Sequence, residues 1–494
     1  MFQRVIFVVF SLVFAVSLLG AQNAKEDPVW EEFCLKGEFD LGWRYQGLKP
    51  EAGEFYPAEW CVISSKDSPN VRYSGKAYSN PDSESHFTVL YLPPNTVQIV
   101  NEGPQPDLLF EGAIIGAESQ MIKRLDPRRL AEDVQANPGW VVSRSGNGMI
   151  DVRFPGSLFV STVSIVDSRA SSFYTDVDLP LRGRVRAVWE WKSEGEDHGE
   201  KAVLTVDGTV IFRASSTRRV LSAEEVTKVF EPAEDEPEPI SIPGKAWPSR
   251  IAMRVDTVET GVHIIRNVRT GFHHLVVETA KGLVVADAPA GWVEMNQLPA
   301  SDLVPGMGIS GLSEAFIDFL GGHFPGTSVR SVVLTHAHDD HAGGARAFAA
   351  SGAEIYAPKG SSNFLQISLN RKEMPVDRLS MAGRKATITP VDGRFTISDQ
   401  YRPVEALTLG PNPHVNAMLG VFLPKQKILF VSDIHVPGSD SPSPPEDRSK
   451  SECWFANWAV KNLPQETRIF NSHSQVVTTV ELMDKWTASA VCRR

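Results

Sequence analysis

The sequence predicts a two-part protein: a mostly antiparallel β amino-terminal domain followed by a layered α/β carboxy-terminal domain. Three observations carry this. From Val71 to about Ser216, runs of alternating or β-branched residues follow one another between turn formers, the pattern of consecutive strands. Glu231–Pro243 then shifts to Pro and Glu with little to bury, as a linker does. Beyond it, strand and helix patterns alternate, which a layered α/β domain requires. With 494 residues, 42% hydrophobic and 22% charged, the chain has material for two or three globular domains and is neither disordered nor fibrous.

Met1–Ala24 holds one basic residue, Arg4, the apolar run Val5–Gly20 and small residues at Ala21 and Ala24. It reads as a secretory signal peptide, short for a membrane anchor, and no Cys follows it for lipid attachment. The expected location is therefore exported, periplasmic or secreted, with no stable membrane anchor. Export would bring all four cysteines into an oxidising compartment. Pairing Cys34 with Cys61 and Cys453 with Cys492 keeps each bridge within a domain, although four cysteines allow three connectivities.

In the first domain, strand patterns cover His86–Leu92, Leu158–Val166, Val185–Trp191 and Ala202–Phe212, with Asp207-Gly208 as a hairpin signal. Asp126–Ala136 interrupts them as a helix, with Pro127 suited to its first turn. His86 and His198 stand alone, so the domain shows no constellation that carries chemistry. The boundaries read 1–24 for the signal segment, 25–230 for the β domain, 231–250 for the linker and 251–494 for the α/β domain.

Strands resume at Val262–Arg266 and His274–Thr279, and a Lys281-Gly282 turn leads into Leu283–Pro289. Leu312–Leu320 is helical in pattern. Ser331–Gly344 follows, reading Ser-Val-Val-Leu-Thr-His-Ala-His-Asp-Asp-His-Ala-Gly-Gly. A short β-branched strand running straight into three His and two Asp sets imidazoles and carboxylates on a rigid base, which a solvated His-rich turn would not need. That donor set suits zinc, and His336 and His338 alternate as a strand end requires to face one ion. Asp340 and His341 point elsewhere, toward a second. Ala345–Ala350 continues as helix and Ala353–Pro358 as strand.

The His-x-His-x-Asp-His pattern followed by Gly-Gly resembles the metallo-β-lactamase superfamily, which includes lactamases, glyoxalase II, lactonases and nucleases. The resemblance covers the chain from about Ile251 onward and implies an αββα sandwich with a metal site, not a particular substrate. It implies further ligands at His414, in the loop after Leu407–Leu409, at Asp433, which ends the strand from Ile428, and at His473. Ser472 and Ser474 flank His473 where family members usually show a Gly-His-Gly-like turn. Asp433 stands where zinc β-lactamases carry Cys or another residue, so the chain looks closer to the glyoxalase and lactonase pattern. One Zn²⁺ is expected on His336, His338 and His414 and a second on Asp340, His341 and His473, with Asp433 bridging; Asp340 and Asp433 are the candidate catalytic residues. Iron or manganese would suit the same donors. His273, His274 and Asp339 are candidates to border the site rather than ligands.

The expected function is that of an exported zinc-dependent hydrolase using a metal-bridging hydroxide on a small ester, lactone, lactam or thioester. The competing class is an exported, metal-stabilised binding protein whose β domain recognises a ligand and whose metal site is inert. Diiron members of the superfamily usually carry Glu where His338 stands. A small-molecule substrate is the expected partner, and a formal net charge of −11 with no Lys/Arg-rich run argues against a nucleic-acid one. The Ser/Pro-rich span 435–454 has the composition of a mobile flap, and the oligomeric state is not legible.

Overall fold

The structure is a computed structural model describing residues 28–40, 42, 53–80, 83–92, 95–99, 108–111, 125–154, 159–193, 200–230, 239–241, 253–269, 272–290, 310–374, 376–398, 402–445 and 448–493. The expected signal segment, His198 and most of the expected linker lie outside them. Within the linker span, Pro239–Ser241 is a short strand lying parallel to Leu108–Glu111 at the edge of the first sheet.

That first sheet has 14 strands, and every other neighbouring pair in it is antiparallel. Alternation makes it one-sided. In Gly183–Ser193, Val185, Ala187, Trp189 and Trp191 turn inward, while Arg184, Arg186, Glu190 and Lys192 face solvent. The predicted helix forms over Pro127–Ala136, where the Asp126 carboxylate accepts from the Arg128 N–H at 2.9 Å. Its Leu130 and Val134 join Phe33, Leu35, Trp189 and Phe212 in the domain core. Cys34 and Cys61 are direct cross-strand partners and form a disulfide; Cys453 and Cys492 form the other. Such bridges fit an oxidising compartment. Among the described residues no helix is long and apolar enough to cross a membrane.

The carboxy-terminal domain has four layers. A 7-stranded sheet from Arg254–Glu259 to Ile388–Val391 faces a 6-stranded sheet from Arg394–Thr396 to Thr478–Thr479. Ile264, Val277, Val284 and Val333 from the first meet Val421, Leu423, Ile428 and Phe430 from the second in a shared core. Helices Gly311–His323, Ala345–Ser351 and Lys359–Ser368 cover the outer face of the first sheet. Helices Ser449–Asn462 and Val480–Thr487 cover that of the second. This is the αββα arrangement. Leu181, from the amino-terminal sheet, is buried in the same cluster as the helices on the first sheet.

The span 435–454 departs from the mobile flap expected of it. Its end already belongs to helix Ser449–Asn462, and its loop has buried anchors. His435 lies 2.6 Å from Glu452 and 2.8 Å from Thr478 Oγ1, while Trp486 Nε1–H donates to Ser441 O at 2.7 Å. The ends of the span are anchored in this way, while Gly438, Ser439, Asp440, Pro442 and Ser443 face solvent.

Candidate metal centre

The inner strand Val329–Val333 lies parallel between Gly282–Ala286 and Glu354–Pro358 and is buried apart from Arg330. Its chain leaves the sheet at Leu334 and Thr335, and Leu419 N–H donates to Thr335 O at 2.7 Å, joining the two sheets where the site begins. His336 and His338 follow. Asp339–Ala342 then forms one helical turn carrying Asp340 and His341. The Gly343-Gly344 exit is forced by crowding. A Cβ on Gly343 would come within 2.5 Å of Asp339 O, and one on Gly344 within 2.2 Å of Pro289 O.

All seven predicted ligands come together, in two groups sharing Asp433. His336, His338, His414 and Asp433 form one, and Asp340, His341, Asp433 and His473 the other, with ligand atoms in each within 4.8 Å of one another. In the first, His414 Nε2 lies 3.2 Å from His336 Nε2 and 3.3 Å from Asp433 Oδ2. In the second, Asp433 Oδ1 lies 2.9 Å from His341 Nε2 and 2.8 Å from His473 Nε2, and Asp340 Oδ2 lies 3.5 Å from His341 Nε2. Asp433 thus turns one oxygen to each group. Ser472 and Ser474 do not displace His473.

Asp287 orients the site. It is fully buried at φ 68°, beyond the end of Gly282–Ala286, and its own N–H donates to Val333 O at 2.8 Å. Its carboxylate accepts from Thr335 N–H at 2.6 Å and Thr335 Oγ1–H at 3.0 Å, and lies 2.8 Å from His341 Nδ1. That contact turns His341 Nε2 to the site. Thr335 Oγ1 and Ser432 Oγ, each 3.2 Å from His336 Nδ1, direct its Nε2 likewise.

At the late histidines two asparagines fix the backbone instead. Asn412 Oδ1 accepts from His414 N–H at 2.9 Å, and Asn471 Oδ1 from His473 N–H at 2.9 Å. The readable signal was Asn-x-His, present in both loops. Behind Asp433, Arg448 Nη2 donates to its carbonyl at 2.8 Å, and Glu452 holds both His435 and the Val436 N–H. Phe272 packs edge-on against His473, with ring centroids 4.4 Å apart.

The electrostatics fit a cation. Burial opposes charge on His341, but the carboxylates of Asp433, Asp340 and Asp287 outweigh it and hold its pKa well above the ordinary value. Burial would raise Asp433, but His341, His473 and His414 outweigh it and keep this carboxyl ionised far below the usual range. Asp340 is lowered against burial chiefly by His341. His336 is pushed well down by burial, then by His341 and His338, so its nitrogen is a free donor. Ionised carboxylates that stabilise positive charge on buried His341, beside the unprotonated nitrogen of His336, make a place where a divalent ion could replace that proton.

His273 and His274 border the site as buried residues. His274 Nδ1–H donates to Ala286 O at 2.9 Å and its ring packs 5.1 Å from that of Phe316; His273 N–H donates to Ser472 O at 2.8 Å. Asp339 opens the ligand turn, its carbonyl accepting from Gly343 and Ala290 N–H.

Residues 310–473 match the family model of the Metallo-beta-lactamase superfamily. No curated protein matches the sequence. Similar solved structures include a metallo-beta-lactamase from Pontibacter korlensis, 16% identical, covering 49% of this chain and 99% of that one at a TM-score of 0.33. Another is the FIM-1 metallo-beta-lactamase from Pseudomonas aeruginosa in its mono-zinc form, 18% identical over 47% of this chain and 92% of that one, TM-score 0.32. A third, from Hirschia baltica, is 15% identical over 47% and 95%, TM-score 0.31. The family-model match falls across the His/Asp groups just described, so residues 310–473 of this chain carry the metallo-β-lactamase superfamily's pattern together with side chains that could hold metal.

Proposed function

We propose that this protein is an exported dinuclear metal hydrolase of a small ester, lactone, lactam or thioester. The observation that carries the reading is the sharing of Asp433, one oxygen toward each histidine group. His336, His338, His414 and Asp433 would hold one ion, and Asp340, His341, His473 and Asp433 the other. Zinc suits these donors, as do iron and manganese. Ions held there supply Lewis acidity toward a carbonyl oxygen and lower the pKa of water toward neutrality.

The chain's own residues do the rest. Asp287, Thr335 and Ser432 fix the His341 and His336 rings, so no reorientation is needed during turnover. All four cysteines are bridged, so no thiolate competes as nucleophile. Export is supported by both disulfides and by the Met1–Ala24 pattern.

The test is metal content per chain together with a hydrolysis screen of the metal-loaded protein over lactams, lactones, thioesters and phosphodiesters. Two ions and turnover of an ester, lactone, lactam or thioester are expected. Two ions without turnover, with a ligand bound through the β domain, would replace this reading by that of a binding protein.

A further inference from the structure

The turn between strands Arg169–Leu179 and Gly183–Ser193 is built against its own backbone preference. Leu179 pairs with Gly183, so Pro180, Leu181 and Arg182 make the turn. Leu181 adopts φ 59°, a left-handed conformation in which its Cβ is crowded and which glycine or asparagine ordinarily fills. A side chain kept there is over-determined by its surroundings. Those surroundings belong to the other domain. Leu181 is fully buried in the cluster that contains Ala288, Ala342, Ala345 and Phe348 of the metallo-β-lactamase fold.

The rest of the tip is seated as closely. Arg184 N–H donates to Glu373 O at 2.6 Å, and a Cβ on Gly183 would lie 2.8 Å from the Glu373 backbone. A Cβ on Gly343 would lie 2.8 Å from Pro180 Cβ and 2.8 Å from Ala290 Cβ. Gly343 ends the turn that carries Asp340 and His341, and its N–H donates to Asp339 O at 2.8 Å. On the other side, Ala288 N–H donates to His341 O at 2.8 Å and Gly344 N–H to Ala288 O at 2.9 Å. The ligand turn is therefore held between segment 288–290 and the amino-terminal hairpin. His336 depends on it less, since it follows directly from the buried strand and its Nδ1 is held by Thr335 Oγ1 and Ser432 Oγ.

From this we infer that the hairpin Leu179–Gly183 of the amino-terminal sheet is a positioning part of the metal centre, holding Asp340 and His341 in place for the second ion. The inference rests on the two-ion reading above. The amino-terminal domain is then a fixed support of the site and not a separately tethered module.

The test uses the full chain loaded with zinc. Leu181→Gly removes the side chain while relieving the turn, so the amino-terminal sheet is not itself endangered, and Leu181→Met restores the bulk. Affinity of each ion is measured by chelator competition, with the second ion identified as the one lost in His473→Ala. Melting temperature is followed in parallel. In Leu181→Gly the second ion should weaken roughly 10- to 100-fold, as when a supporting partner of a ligand is lost. The first should be unchanged, and Leu181→Met should recover the second. The inference is overturned if both ions bind Leu181→Gly as they bind wild type. It is also overturned if both weaken together in step with melting temperature, which would leave Leu181 a packing residue only. A wild type that holds a single ion overturns the two-ion reading and this inference with it.

Discussion

Asp433 offers Oδ1 to His341 and His473 and Oδ2 to His414, and its carbonyl is fixed by Arg448. Removing the carboxylate should disturb both ions far more than the fold, because the strand before it, Ile428–Val431, is buried on both faces. Asp433→Ala is expected to keep its circular dichroism spectrum and fall toward one ion per chain. Its turnover should drop by more than the roughly 100-fold that loss of a supporting partner brings; unchanged stoichiometry would refute the bridging role. His274 makes a different prediction. Burial, only partly offset by Asp287 and by its hydrogen bond to Ala286 O, lowers its pKa to about 4. In the unfolded chain it returns to its ordinary value, about 6.5. Between those values the unfolded state binds the extra proton, so stability is intact above pH 6.5 and is lost as pH falls toward 4. The loss is on the order of 2 to 3 kcal/mol by pH 4.5. His274→Asn, which keeps a donor for Ala286 O, should lose that much less between pH 7 and 4.5 in urea unfolding. Parallel profiles for the two proteins would show that His274 does not carry the effect.

At the scale of elements, helix Ser449–Asn462 does more than cover the second sheet. Its Glu452 is fully buried and accepts from Val436 N–H at 2.7 Å, while His435 lies 2.6 Å away and stacks on Phe455 at 4.7 Å. The helix thereby fixes the chain two residues after Asp433. Glu452→Ala leaves buried donors without an acceptor and should cost about 2 to 4 kcal/mol of stability. Hydrogen exchange would report it locally: slow exchange at Val436 in wild type and fast exchange in the variant are expected. Equally fast exchange in both would return 435–445 to the flap its composition resembles.

At the scale of the whole molecule, secreted protein should begin at Gln22 or Lys25 by intact mass, from the apolar run and small-residue exit of the first two dozen residues. A mature chain beginning at Met1 and retained with membranes would contradict export. Cleavage within Glu231–Pro243 is expected, at the composition shift after the first domain. The two halves should nevertheless elute together in gel filtration, because Leu181 is buried in the core of the second. Separation into independent fragments would show that the hairpin contact is weak.

Local pattern was enough for a layered α/β half, for the 14-strand half as a run of strands, and for His336, His338, Asp340 and His341, whereas the αββα sandwich and His414, Asp433 and His473 came from the family resemblance. A β-branched strand followed by His-x-His-x-Asp-His states its chemistry within a few residues, and the matching late positions lie at strand ends that hydropathy marks. Tertiary structure alone decided what these residues lean on. The Asp287–His341 and His435–Glu452 contacts join residues 54 and 17 positions apart. The seating of Leu181 among residues of the second domain is set by a fold-level approach that no periodicity encodes. Periodicity reports which face of an element is buried, whereas the identity of what buries it depends on how distant elements close upon one another.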